Sequence, residues 1–301
     1  MDMQASSALA ELSDHGLLAV TGPDARAFLH AQLTNHIENL VSGRARYAAY
    51  CSPKGRVLAN MLVIPHQDGF LLSLSRDLAP AIAKRLSMFV LRAKVGITDA
   101  SAEWTQFGCW GTDPESPAPL PEAVLDVSEA KGAVAVCIAR ARHALLVPVA
   151  QATGLRDRAR AGGALSWARE EIRAGRALID QATQDQFVPQ MLNLELTGAI
   201  DFRKGCYPGQ EIVARSQYRG IVKRRMYLAR TAAEARPGMD LFGDDPAAQP
   251  CGSVVNAVAA AEGGSELLAV LQVASVELRA PIHAGSPGGP LLELLPLPYS
   301  P

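Results

Sequence analysis

Asp201-Phe-Arg-Lys-Gly-Cys-Tyr-Pro-Gly-Gln-Glu-Ile-Val-Ala-Arg-Ser-Gln-Tyr-Arg-Gly220 is unlike the rest of this 301-residue chain. Pro208 ends extended structure, and Gly209 opens a segment with Ile212, Val213 and Gln217 at helical spacing. Glu211 falls in the first turn, where a carboxylate suits the positive end of the helix dipole. Cys206 therefore stands just ahead of a helix N-terminus with Arg203 and Lys204 beside it, surroundings that favour thiolate over thiol. Two glycines and a proline around it fix an unusual backbone. Glu211 and Arg215 lie four residues apart and can form a surface ion pair worth about 0.3–0.5 kcal/mol.

The same region concentrates positive charge. Lys and Arg total 29 against 30 Asp and Glu, a net charge of −1 that excludes a generally basic nucleic-acid coat. Yet 203–225 holds seven cations and one anion, giving +6 and leaving −7 on the remainder. Such a patch suits a phosphate backbone, a polyglutamate tail or an acidic protein. Arg224 and Arg225 enter a strand and should point to opposite sides.

Apolar residues make up 49% and charged residues 20%, a globular composition too hydrophobic for disorder. The five cysteines, at 51, 109, 137, 206 and 251, form no CxxC pair or zinc-ribbon spacing. No basic leader and no apolar run of about 18 residues is evident, so the reading is a cytoplasmic protein with free thiols. Cys51, Cys109, Cys137 and Cys251 lie in apolar strand-like runs and read as buried structural residues. His30 and His36 read as a helix surface and a loop residue rather than ligands.

Working outward, Gly16–Val20 reads as a strand followed by a helix starting near Asp24. Arg46–Tyr50 and Arg56–Ile64 form a hairpin around Ser52-Pro53-Lys54-Gly55, where Pro at the second and Gly at the fourth position suit a tight turn. Phe70–Leu74 is a strand, and Asp77–Phe89 an amphipathic helix with Leu78, Ile82, Leu86 and Phe89 on one side. The spacing predicts strands at Val95–Thr98, Trp104–Cys109, Val134–Ala139 and Leu145–Val149, and a proline-rich loop over 112–121. A helical, Arg-rich region runs to Ala174. From about 226 onward the chain reads as all-β, a small barrel or sandwich. The fold class is α+β, with parts at 1–111, 122–225 and 226–301.

Lys204-Gly-Cys-Tyr-Pro-Gly-Gln-Glu211 resembles the KGCYxGQE signature of the YgfZ family, folate-binding relatives of the glycine-cleavage T protein. Trp167–Gly175, Ile179-Asp180, the run from Gln186 to Leu194, Arg224-Arg225, Ser52–Arg56 and Leu297–Tyr299 also resemble family features, so the likeness covers nearly the whole chain. It implies a GcvT-like ring of three modules around a channel, with a ferredoxin-like part and a C-terminal small β-barrel. It further implies tetrahydrofolate binding and a supporting role in iron–sulfur cluster assembly or repair, and thereby in tRNA thiolation. Carried over by position, the functional thiol is Cys206, with Lys204, Gln210 and Glu211 beside it and Gly205 and Gly209 shaping the backbone. The folate contacts are Trp167, Tyr207, Arg215 and His15, the last standing where the family can place an aromatic. A pterin is a flat, polar heteroaromatic that an indole face would suit, although on spacing alone Trp167 reads as the half-buried anchor of an amphipathic helix.

One cysteine cannot hold a cluster that takes about four protein ligands, so Cys206 would be a shared or transient ligand, with the other ligands coming from partner thiols or a small-molecule thiol. The implied partners are folate, iron–sulfur assembly proteins or iron–sulfur tRNA-modifying enzymes, and tRNA itself through the 203–225 patch. The alternative function is a folate-dependent aminomethyl or one-carbon transferase, with Asp180 or Asp201 as the acid.

Overall fold

In the computed structural model, the described residues are 8–218, 222–243 and 249–300. Arg219 and Gly220, both within the quoted stretch, lie outside them. The chain forms two compact units, one of 1–48 and 61–167, the other of 49–60 and 168–301.

In chain order the first run of elements is β1 (Ala8–Glu11), β2 (His15–Thr21), α1 (Ala25–Gln32), β3 (Arg46–Cys51), β4 (Val57–His66), β5 (Gly69–Ser75), α2 (Ala79–Ser87), β6 (Gly96–Asp99), β7 (Trp104–Trp110), β8 (Val127–Ala130), β9 (Ala133–Ala139), β10 (Arg142–Pro148), α3 (Thr153–Arg158) and α4 (Gly163–Arg173). Two five-stranded sheets result, ordered β1-β7-β10-β9-β8 and β3-β4-β5-β2-β6. Leu17, Leu62, Ile64, Leu71, Val134, Val136, Leu146 and Trp167 share one apolar core. The proline-rich 112–121 segment carries no helix or strand. The α2 helix ends at Ser87, two residues before the sequence periodicity does, and Phe89 is 44% exposed instead of facing the core with Ile82 and Leu86. The chain turns there through hydrogen bonds from Phe89 N–H to Leu86 O and from Val90 N–H to Ser87 O, which rotates Phe89 off the helix's apolar stripe.

The second unit continues with α5 (Gln210–Tyr218), β11 (Arg224–Thr231), β12 (Asp240–Phe242), β13 (Pro250–Ala259), β14 (Ser265–Gln272), α6 (Val273–Glu277), β15 (His283–Ala284) and β16 (Leu292–Leu295). Its strands form a curled six-stranded antiparallel sheet in the order β15-β12-β13-β14-β11-β16. An isolated bridge from His283 in β15 to Leu291, the residue before β16, brings the two ends of the sheet together. Apposed ends leave less of the open edge that invites unwanted pairing. Ala229, Leu241, Val254, Leu267, Ala269 and Leu271 fill its interior. No helix among the described residues is long and apolar enough to cross a membrane.

Candidate functional site

The site is built on the tip of the β3–β4 hairpin, the 49–60 segment of the second unit. Pro53 and Gly55 close the tip as the sequence predicts. Gly55 N–H donates to Ser52 O at 2.8 Å, Ser52 N–H donates to Arg56 O at 2.8 Å, and Gly55 has φ +69°, a conformation that a side chain disfavours. The 177–187 segment clamps the hairpin. Val57 N–H donates to Phe187 O and Asp185 N–H to Val57 O, extending the strand by one more partner. The Ser52 hydroxyl donates to the Asp185 carboxylate at 2.8 Å, and Arg56 donates to Gln186 O. Asn60 donates to Ala177 O at 2.7 Å and accepts from Ile179 N–H at 2.8 Å.

The signature loop rests on this platform. Gly209 has φ +78°, and a β-carbon on it would come within 2.4 Å of Ser52 O; one on Gly55 would come within 2.7 Å of the Ile212 β-carbon. The two turns are thus in backbone contact, which only glycine permits at both places. Helix α5 starts directly after, at Gln210, where the sequence places it. Its inner face is pinned by Val213, whose carbonyl accepts from the Gln190 side chain at 2.7 Å.

Of the five cysteines Cys206 is the exposed one, and Cys51, Cys109, Cys137 and Cys251 are all buried. Burial pushes the Cys51 thiol up to about 12, with the nearby Asp185 carboxylate adding to it. Burial also raises Tyr207 well above the usual phenol range, Cys51 being the second cause. Lys204 is buried, its ammonium 5.0 Å from the centre of the Tyr207 ring. The loop therefore alternates in depth. Lys204 and Tyr207 anchor it inward, while Gly205 and Cys206 between them face solvent.

Glu211 and Arg215 are exposed and pair with each other at 2.7 Å. Arg225 is largely buried and bonded to Glu195, Gln190 O and the Asn193 side chain, so it ties β11 to the 190–195 segment. The +6 stretch is thus partly neutralised, with Arg203 exposed and Arg224 half-buried on its surface. Asp180 accepts from the Thr183 hydroxyl at 2.8 Å and Asp201 from Arg203 N–H at 2.8 Å, so both candidate acids serve local turns.

His15 and Trp167 belong to the first unit. His15 opens β2, with Nδ1 2.9 Å from the Asp14 carboxylate. Trp167 is 3% exposed. Its indole meets Trp110 edge to face at 5.2 Å, carries the Arg142 guanidinium at 4.5 Å, and covers Gly108, where a β-carbon would come within 2.2 Å of the ring. A pterin needs a bare aromatic or apolar face. In this arrangement Trp167 is a packed core residue and Tyr207 is an anchor, so neither aromatic fits as an open stacking platform for a folate. Asp185 is the site residue that no local pattern marks, whereas Ser52 and Gly55 are marked in the sequence as a tight turn but not as the seat of the Cys206 loop.

Comparison with known proteins agrees with this architecture. Residues 1–138 match the GCVT N-terminal domain family. The tRNA-modifying protein YgfZ of Klebsiella pneumoniae (strain 342) is 31% identical over 97% of this chain and 93% of its own length. That of Edwardsiella ictaluri (strain 93-146) is 30% identical over 97% and 92%. Among solved structures, the glycine cleavage system aminomethyltransferase T from Bartonella henselae superposes with a TM-score of 0.77 at 17% identity, covering 99% of this chain and 87% of that one, a likeness of fold. With this GcvT-like fold, a KGCYPGQE loop seated on its glycine platform and full-length similarity to those relatives, the chain belongs to the YgfZ family.

Proposed function

We propose that the chain is an accessory protein in tRNA modification, supporting iron–sulfur cluster assembly or repair and thereby tRNA thiolation, with Cys206 as its working thiol. The observation that carries the reading is the contrast among the cysteines: four are buried and one stands exposed on a loop anchored from both sides. An exposed sulfur on a rigid backbone suits contact with a partner macromolecule, and it supplies one of the about four ligands that a cluster takes, the others coming from the partner. The cluster is cargo in this scheme. The names of the relatives support the tRNA-modification part. Tetrahydrofolate enters on the family resemblance alone, and no step of the thiol chemistry is assigned to it.

The test is Cys206→Ser expressed in a strain lacking the native gene, reading iron–sulfur enzyme activity and tRNA thiolation. Loss of both at an unchanged level of folded protein is the expected result. Full restoration by the variant would overturn the proposal.

A further inference from the structure

A second exposed feature lies in the first unit and is independent of Cys206. Directly after α2, whose Ile82, Ala83 and Leu86 face the core, Met88, Phe89 and Leu91 are 68%, 44% and 87% exposed. Three large apolar side chains within four positions are far from the scattered single residues normal on a surface. The backbone beneath them is ordered by its own bonds: Met88 N–H donates to Lys84 O, Val90 N–H to Ser87 O and Leu91 N–H to Phe89 O. The cluster is therefore a formed knob. Lys84, Arg85, Arg92 and Lys94 flank it, and no Asp or Glu occurs from Leu78 to Thr98. Asp24, which approaches from the start of α1, accepts a hydrogen bond from Lys94 N–H at 2.7 Å. Beside the knob runs β6, an edge strand of its sheet whose residues are mostly exposed.

We infer that the Met88–Leu91 knob, rimmed by Lys84, Arg85, Arg92 and Lys94, is a docking surface for an acidic protein segment carrying apolar residues. Met, aromatic residues and Arg are the types enriched in protein interfaces. The four cations supply the charge complementarity that selects an acidic partner and steers its approach. The adjacent sheet edge offers backbone pairing that a peptide can use and a lipid cannot.

The test uses the full chain and a short synthetic peptide alternating Glu with Leu and Phe, followed by NMR titration. Shifts confined to 84–98, a dissociation constant raised about tenfold or more by Met88→Ser with Leu91→Ser, and similar weakening by Lys84→Glu with Arg92→Glu would support the inference. Both pairs change exposed side chains, and unaltered spectra elsewhere check that the fold is kept. Cys206→Ser should leave the titration unchanged, which separates this surface from the thiol. The inference is overturned if no shifts appear, if the Lys-for-Glu peptide binds as well, or if phosphatidylserine vesicles or bulk tRNA engage the same residues more tightly than the peptide.

Discussion

Gly209 and Gly55 pack backbone against backbone: a β-carbon placed on Gly209 would lie 2.6 Å from the α-carbon of Gly55. Two turns far apart in the chain thereby share one contact, and the height of the Cys206 loop above the hairpin is set by the absence of side chains at both positions. The lock is steric, so it withstands changes of salt and pH that would loosen an ionic tie.

Gly209→Ala should accordingly destabilise the protein. The left-handed backbone costs an alanine about 1–2 kcal/mol, and forcing a methyl group against Ser52 O adds about 1–3 kcal/mol. Urea denaturation is the measurement, and a variant within about 0.5 kcal/mol of the native chain would contradict the interlock. Gly205→Ala, at an exposed position, serves as the mild control.

Native thiol titration with an aromatic disulfide should show one fast-reacting cysteine, abolished by Cys206→Ser. The other four react only on unfolding, since they are buried.

Stability should fall in alkali. The Cys51 thiol, ordinarily near 9.0, is pushed to about 12 by burial and by Asp185, and Cys109 to about 11, chiefly by burial. Below about pH 9 both states keep these protons and nothing changes. Above it the unfolded chain releases protons that the folded chain retains, so stability drops by up to about 1.4 kcal/mol per pH unit for each thiol until the folded value is reached. Cys51→Ala should make the decline between pH 9 and 11 shallower. Equal slopes for variant and native chain would refute this.

Arg224 and Arg225 should part company on mutation. Arg225→Met leaves the buried Glu195 carboxylate without its guanidinium and should cost roughly 3–5 kcal/mol by denaturation. Arg224→Ala should leave stability within about 0.5 kcal/mol, as for surface changes generally, while weakening any salt-dependent tRNA binding. Equal stabilities for the two variants would sink the distinction.

Trp167→Ala should destabilise the first unit by about 3–5 kcal/mol, because it empties a core position bounded by Trp110, Arg142 and Gly108. Trp167→Phe, which keeps the core filled, is the variant for tetrahydrofolate titration by calorimetry. Unchanged affinity would confine Trp167 to a structural role.

Local chemistry in the sequence was enough to place the hairpin turn at Ser52–Gly55, the start of α5 after Gly209 and most of the longer strands, because each depends on residues near in the chain. Four short strands escaped. β1 is Ala-Leu-Ala-Glu and β8 is Val-Ser-Glu-Ala, compositions with little β preference, and β12 and β15 span only Asp240–Phe242 and His283–Ala284. Hydrophobic periodicity puts Phe89 on the core face because it does not register where a helix stops, and α2 ends at Ser87. Cys206 was legible because its glycines, proline and cations are adjacent to it. Its platform was not, since the Ser52–Asp185 bond and the Gly55–Gly209 contact join segments that no local pattern connects. Arg225 read as part of a cationic surface because its counter-charge, Glu195, lies 30 residues upstream.

The Ser52 hydroxyl and the Asp185 carboxylate that holds it are 133 residues apart. On a ribosome adding about 5–20 residues per second, the hairpin tip emerges on the order of ten seconds before its clamp. For that interval the nascent chain displays an unpaired strand end and Cys51 without its cover. The loop bearing Cys206 is made last of the three pieces, so the protein cannot present this exposed cysteine in its final setting until the early hairpin has waited, intact and unoxidised, for the later half of the chain.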